Sequence, residues 1–237
     1  MGTTLDQQLT THGLPAVEWA SSNLDVSLRE QGYACVRCNG PDVLAKTMLA
    51  IAALLGHVVP SRNGKPVLDS LKVLAQDEAR PRSLSRLYGR GQQPWHMDGA
   101  HRPVPPRYLL LGCGVLEGKG APRTELLRMD SVALLSTADA YREPFIVRNG
   151  GSSFYSTIVS RDRAWARYDP GCMTPLSNCG RSLANALLLD DVAPCLAFEW
   201  SRGDILVFDN QALFHRRSAP RGAGRRELMR LSVMEKR

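Results

Sequence analysis

The spacing of apolar residues changes character near Pro94. Upstream, Leu44, Met48, Ile51 and Leu55 recur at helical spacing and predict a helix over about Pro41 to Leu55, with Pro41 in its first turn and Gly56 at its end. An earlier helix is predicted in SNLDVSLREQG, with Ser22 or Asn23 as N-cap and Gly32 as the stop, leading into a strand YACVR. Downstream, short apolar runs between turn residues predict strands in YLLLGC, ELLRM, PFIVR, SFYSTIVS, AWARYD, LAFEW, DILVFDN and RELMRLSVME. Two helical inserts interrupt them, DSVALLSTADA and RSLANALLLDDV. Many short strands at even spacing predict a mainly β fold, a sandwich or barrel with flanking helices, and argue against a parallel Rossmann sheet. No repeat or linker divides the chain. One domain over residues 1–237 is expected, with residues 1–90 packing on a core formed by residues 91–237.

Composition narrows the class. The chain has 237 residues, 43% hydrophobic and 22% charged, enough to bury a substantial core. No apolar run approaches the roughly 20 residues that span a bilayer. The longest, VLAKTMLAIAALLGHVV, is broken by Lys46 and reads as a buried amphipathic helix. The first residues lack a signal-peptide pattern, so a cytoplasmic location is expected. The six cysteines are then expected as reduced thiols, and CVRC places Cys35 and Cys38 on opposite faces of a strand. The net charge of +7 comes largely from C-terminal arginines: Arg216, Arg217, Arg221, Arg225, Arg226, Arg230 and Arg237. Aromatics are only 6% and no stacking motif accompanies the charge, which speaks against nucleic acid. A positive funnel for small anions, or for an acidic partner protein, is the preferred reading.

The stretch QPWHMDGAHRP puts His96, Asp98 and His101 within six positions. On a strand, residues i and i+2 share a face, so His96 and Asp98 can reach one metal ion. A lone His-x-Asp arises by chance in many proteins, so a third ligand must carry the specificity. His12 lies in the N-terminal stretch, His57 just past a helix end, and His101 beyond a Gly-Ala step that breaks the strand. His215 remains, at a strand end in GDILVFDNQALFHRRSAP. Two histidines and one carboxylate on a β scaffold match the facial set of non-haem Fe(II) oxygenases, although the same ligand types suit catalytic zinc. Arg226 and Arg230 follow eleven and fifteen residues after His215 and, being four apart, share a strand face. A guanidinium there suits a dicarboxylate through a bidentate pair, which a 2-oxoglutarate oxygenase needs and a zinc hydrolase does not.

In this order the segments resemble the taurine dioxygenase and clavaminate synthase-like family of Fe(II)/2-oxoglutarate-dependent oxygenases. The resemblance covers about residues 30–237. It rests on WHMDGAHRPVPPRYLLLGC, GKGAPRTELL, RYDPGCMTPL, and GDILVFDNQALFHRRSAP followed by RRELMRLSV. It implies a double-stranded β-helix, a cupin-like jelly roll, with Fe(II), 2-oxoglutarate and O2 as cofactor and cosubstrates. Iron ligands would be His96, Asp98 and His215; cosubstrate contacts would be Thr124, Arg226 and Arg230, with Arg230 paired to a carboxylate. The implied reaction hydroxylates an unactivated C–H of an amino acid or its derivative, free or tethered to an acidic carrier protein, in bacterial secondary metabolism. Succinate and CO2 are the co-products; desaturation, epoxidation and cyclisation are alternative outcomes. The carboxylate at Asp98 speaks for hydroxylation, because related halogenases carry a small residue there. Two features depart from the family: GAPRT replaces a glycine pair before Thr124, and the segment between Asp98 and His215 is compact. The second implies that a partner or a second copy of the chain helps close the site.

Substrate contacts are expected at Gln93, Trp95, His101, Arg163 and Arg167. Plainer readings stand beside most of them: core packing for Trp95, surface exposure for His101 and Arg163, an ion pair with Asp169 for Arg167. Two rival functions remain: a zinc hydrolase, which lacks an adjacent Glu to act as base, and a non-catalytic cupin-like binding protein, which has no use for an arginine clamp.

Overall fold

Residues 18–19, 24–38, 41–62, 64–81, 83–188 and 192–236 are described by the computed structural model. In chain order the elements are β1 (Glu18–Trp19), α1 (Leu24–Glu30), β2 (Tyr33–Arg37), α2 (Pro41–Leu55), β3 (Gly56–Val59), β4 (Asp69–Lys72), α3 (Leu84–Tyr88), β5 (Tyr108–Glu117), β6 (Thr124–Arg128), α4 (Ala138–Arg142), β7 (Phe145–Asn149), β8 (Ser152–Ser156), β9 (Met173–Pro175), α5 (Asn178–Leu188), β10 (Leu196–Phe198), β11 (Asp204–Asp209), β12 (Leu213–Arg217) and β13 (Arg225–Glu235).

The large sheet runs β1-β2-β11-β5-β13-β3, and β4 also pairs with β13. A small sheet runs β10-β6-β12, and β8-β7-β9 form a third. All these pairings are antiparallel. The chain passes from the large to the small sheet twice, β5 to β6 and β11 to β12, which is the winding of a jelly roll. The mainly β expectation with flanking helices holds.

The reason β5 and β11 read as unbroken apolar runs is that both their faces are covered. Leu109, Leu111, Leu206 and Phe208 pack toward Leu126 and Leu213 of the small sheet. Leu110, Ile205 and Val207 pack on Leu44, Met48 and Ile51 of α2. Each such buried side chain contributes about 1.5–3 kcal/mol by leaving water. α2 lies close enough that a Cβ on Gly112 would stand 2.4 Å from the Met48 sulfur. At Gly56 a Cβ would meet the Met234 carbonyl oxygen at 1.9 Å, so only glycine lets the helix turn directly into β3 against β13.

Among the described residues before position 90, β2 lies between β1 and β11, and β3 and β4 pair with β13, so these strands belong to the large sheet. Several local expectations are corrected. In VLAKTMLAIAALLGHVV the helix stops at Leu55 and GHVV is a strand. AWARYD forms no strand beyond a single bridge between Ala166 and Val159. DSVALLSTADA folds as two 3-10 turns and part of the short α4. LFHRR, read as the end of a strand, is a fully buried strand of its own, because β6 covers its edge on the small sheet. The Ser22/Asn23 cap and His12 lie outside the described residues. The cysteines are free, as expected.

Candidate metal and cosubstrate site

His215 sits in the middle of β12, and His96 reaches it by a one-residue bridge: each backbone N–H donates to the other's carbonyl, at 3.1 and 2.9 Å. The two imidazole rings lie 4.3 Å apart. Asp98 is not on a strand, contrary to the sequence reading; it opens a turn just past the bridge. Asn210 sets its position instead. The Asn210 side chain accepts from the Asp98 N–H at 3.1 Å and donates to the Asp98 carbonyl at 3.0 Å. The outcome is the same constellation by another route. Asp98 Oδ1 stands 3.9 Å from Nε2 of both His96 and His215, and one donor atom from each of the three falls within 4.8 Å of the others.

These residues fit a metal. His96 Nδ1 lies 2.9 Å from the Pro94 carbonyl, which favours a proton on Nδ1 and leaves the Nε2 lone pair for an ion. Burial, then His96 and Arg230, push His215 down to about 3 despite Asp98, so its ring is neutral and able to ligate at neutral pH. Burial raises Asp98, but Arg230, His215 and His96 together outweigh it and hold the carboxyl well below the usual range. A neutral His215, an anionic Asp98 and the Nε2 of His96 aimed the same way suit a divalent cation.

β13 carries both arginines toward the same cavity, with Leu228 between them. Their partners differ completely. Arg230 donates to Asp98 Oδ2 at 2.7 Å and to Asp69 Oδ2 at 2.8 Å, and Asp69 also accepts from the Ser61 hydroxyl at 2.8 Å. Arg226 has no carboxylate among the described residues. Its Nε donates to the Pro122 carbonyl at 2.6 Å, and Nη2 lies 3.4 Å from the Thr124 hydroxyl, whose oxygen also accepts from Trp200 Nε1 at 3.1 Å. Burial lowers Arg226 to about 9, with Arg217 adding to the shift. A buried guanidinium facing a cavity without a counter-ion is a site for an anion. The two fork nitrogens of Arg230 are thus taken by Asp98 and Asp69, whereas Arg226, beside Thr124, has no carboxylate partner among the described residues.

The cavity holds about 430 Å³. It brings together His96, Asp98, His215, Thr124, Arg226, Arg230 and Gln93. It does not include Trp95, His101, Arg163 or Arg167. Trp95 is core, with the Arg216 guanidinium stacked 4.0 Å over its ring. Arg167 is 1% exposed and donates to the carbonyls of Ala100, Arg102 and Pro103, so it staples the loop after Asp98 rather than pairing with Asp169. Arg163 is exposed and stacks on Tyr141. His101 is half-buried behind Asp98, and burial, with Arg102 and Arg62, lowers it to about 4. Asp169 does face the cavity; burial raises its carboxyl, and its Oδ1 accepts from the Gly171 N–H at 2.8 Å. Of the C-terminal arginines, Arg216, Arg217 and Arg226 are interior, each 6–7% exposed, while Arg221 and Arg225 are exposed.

Sequence reasoning missed Asp69 and the described residues between Ser61 and Ser85 that line one wall of the cavity. β4 is four residues long and too short to show a period. Asn210 had a signal, a polar residue in the turn between two apolar strands, but nothing in the sequence says which loop it grips.

Residues 183–232 match the family model for taurine catabolism dioxygenase TauD, TfdA family. The match ends two residues beyond Arg230 and includes His215 and Arg226. A curated relative, the 3-((Z)-2-isocyanoethenyl)-1H-indole synthase of Fischerella ambigua (strain UTEX 1903), is 25% identical over 180 residues, 62% of this chain and 65% of that protein. The chain thus spans just under two thirds of that relative. Among solved structures, asparagine oxygenase in complex with Fe(II), 2S,3S-3-hydroxyasparagine and succinate superposes with a TM-score of 0.69, at 16% identity over 89% of this chain and 77% of that one. The non-heme iron oxygenase OrfP in complex with Fe and alpha-ketoglutaric acid gives 0.63, at 16% identity over 90% and 78%. PvcB, an Fe, alpha-ketoglutarate dependent oxygenase from an isonitrile synthetic pathway, gives 0.61, at 18% identity over 90% and 79%. The fold is that of the TauD-type iron oxygenases, as the sequence resemblance implied.

Proposed function

We propose, on the premise that this chain is a TauD-type Fe(II)/2-oxoglutarate-dependent oxygenase, that it hydroxylates an unactivated C–H of a small amino acid or amino-acid derivative. The observation that carries the reading is the pairing of one three-ligand site with one buried arginine that has no carboxylate partner among the described residues, in a single cavity. A zinc hydrolase has no use for that arginine, and neither has an inert cupin-like binding protein.

Bound iron supplies the oxidation: 2-oxoglutarate and O2 become succinate and CO2, and the substrate gains a hydroxyl. The protein's own part is positional. His96, Asp98 and His215 would hold the ion, and the ligand set would leave positions for 2-oxoglutarate and O2. Arg230 engages Asp98 Oδ2, so Oδ1 is the oxygen that faces the imidazoles and would be the one to ligate. Arg226 and Thr124 take the distal carboxylate of 2-oxoglutarate by charge-assisted bonds. Gln93 and Asp169 border the remaining space and suit an amino-acid head group.

Relatives named for asparagine, arginine and isonitrile chemistry support an amino-acid-derived substrate within secondary metabolism. A second reading, desaturation, draws on the ethenyl group in the name of the Fischerella relative's product. Hydroxylation of a small polar molecule is favoured because no Phe, Tyr or Trp lines the cavity. The reading extends to a single catalytic domain, supported by the interwoven sheet, and to a cytoplasmic location. No helix of the described residues is long and apolar enough to cross a membrane. Delivery on an acidic carrier protein and closure by a second copy of the chain are the partner expectations that go with it.

Anaerobic addition of Fe(II) and 2-oxoglutarate, followed by visible absorption, tests the assignment. A charge-transfer band should appear with wild type and not with Asp98→Ala. Absence of a band and of 2-oxoglutarate consumption in wild type would sink the oxygenase reading.

A further inference from the structure

Eight lysine or arginine side chains and only three aspartates line the cavity, an excess of five positive charges. The excess survives loading, because Fe(II) and 2-oxoglutarate bring equal and opposite charges. Asp98 and Asp69 are both bound to Arg230, and Asp169, one oxygen of which accepts from the Gly171 N–H, is the carboxylate left for the ammonium of an amino-acid head group. Several cations are also satisfied. Lys72 pairs with Glu227 at 3.1 Å, Arg216 with Glu125 at 2.5 Å, and Arg217 donates to the carbonyls of Gly89 and Gly91. With Arg226 assigned to 2-oxoglutarate, three remain: Arg62, Lys65 and Arg80. None of them forms a salt bridge among the described residues, although Lys65 feels the field of Asp69. All three lie on the segment 61–85, on the wall formed by the N-terminal part of the chain.

We propose that the substrate is a small molecule with an anionic group, a carboxylate or phosphate distal to the oxidised carbon, and that Arg62, Lys65 and Arg80 receive that group. The inference rests on the oxygenase reading above and deepens it by naming the substrate class. It separates this chain from a relative whose ligand is hydroxyarginine, because a guanidinium would enter a cavity already rich in cations and find no carboxylate beyond Asp169, which the head group takes. It also gives segment 61–85 a role beyond covering the metal. Arg62 and Arg80 are exposed enough to swing over the mouth, so the anion is met at the rim while the reacting carbon reaches the metal.

The test uses the Fe(II)- and 2-oxoglutarate-loaded full chain without oxygen. L-aspartate is compared with L-asparagine, L-glutamate with L-glutamine, and O-phospho-L-serine with L-serine; L-arginine is added alone. Binding is read by calorimetry and by perturbation of the visible band. In at least one pair the acidic member should bind about tenfold tighter than its neutral partner, the size of one engaged charge pair near a protein surface. Arginine should bind weakest. The triple variant Arg62→Gln, Lys65→Gln, Arg80→Gln should erase the preference and leave 2-oxoglutarate affinity within about twofold of wild type, as expected for surface substitutions remote from Arg226. Equal binding within every pair, tightest binding of arginine, or a preference that survives the triple variant each overturns the proposal. So does a parallel loss of 2-oxoglutarate affinity, which would assign the rim to the cosubstrate. If wild type fails to bind 2-oxoglutarate, it is the oxygenase reading that has failed, before any charge preference is measured.

Discussion

Arg226 and Arg230 are the same residue type, on the same face of the same strand, lining the same cavity, yet they sit in opposite electrostatic environments. Around Arg230 the protein has supplied two carboxylates, Asp98 and Asp69, so the cation is internally neutralised and acts as a brace. Around Arg226 the described residues supply carbonyls, a hydroxyl and the face of Trp200 but no carboxylate, so the cation keeps charge for something that is not protein. One end of the cavity is finished. The other is waiting for an anion.

The comparison breaks most visibly at Arg226. Arg226→Met should weaken 2-oxoglutarate binding by on the order of a hundredfold or more, since truncating one side of a buried charge pair costs about 2–5 kcal/mol. The stability of the unliganded protein should change by less than about 1 kcal/mol, because an unpaired buried charge is removed rather than created. Calorimetric titration and thermal unfolding of the same preparation check both halves. Arg230→Met should show the reverse stability pattern. It strands two half-buried carboxylates, so a loss of up to about 3 kcal/mol in urea unfolding is expected, below the full penalty of a fully buried pair, with metal affinity falling in parallel. A neutral outcome there would mean that Asp98 is held by Asn210 alone.

Smaller effects refine the picture. Asp69→Ala should lower metal affinity by about tenfold, the size of an outer-shell effect, while Asp69→Asn, which keeps an acceptor for Arg230, should recover most of it. Unchanged affinity in Asp69→Ala would confine the bridge to stability. His101→Ala should leave metal affinity nearly intact, since His101 stands behind Asp98 and outside the cavity. The smallest effect concerns pH. His101 and His215 stay neutral in the fold down to about 4 and about 3, whereas the unfolded chain takes up these protons near 6.5. Folded pKa values below the unfolded ones mean stability that is full above about pH 6.5 and is lost as pH falls toward 4. The melting temperature of the metal-free protein should drop over that window, and His101→Gln should shallow the drop.

Legibility along the chain followed the length of the local signal. α2 was readable to the residue, because four apolar positions at helical spacing and a terminal glycine agree over fifteen residues. β5, β11 and β13 were readable as strands but not as neighbours; their order needs the register of side chains between sheets. Metal-ligand identity was legible because chemistry limits the residue types. The reason His96 and Asp98 converge was not. The period-two argument assumed a strand, whereas a one-residue bridge and the Asn210 side chain do the positioning. For the substrate candidates the ambiguity was real: Gln93 reached the cavity, while Trp95, Arg163 and Arg167 found partners elsewhere.

From the sequence alone came the class of fold, the three candidate metal ligands and the pair of arginines, because periodicity and ligand chemistry are local properties of residue types. Tertiary structure decided which arginine is spent within the protein and which is left for a ligand. That depends on Asp69, which lies 161 positions from Arg230 in the chain and 2.8 Å from it in space. Electrostatic pairing acts through space, and the chain order does not record it.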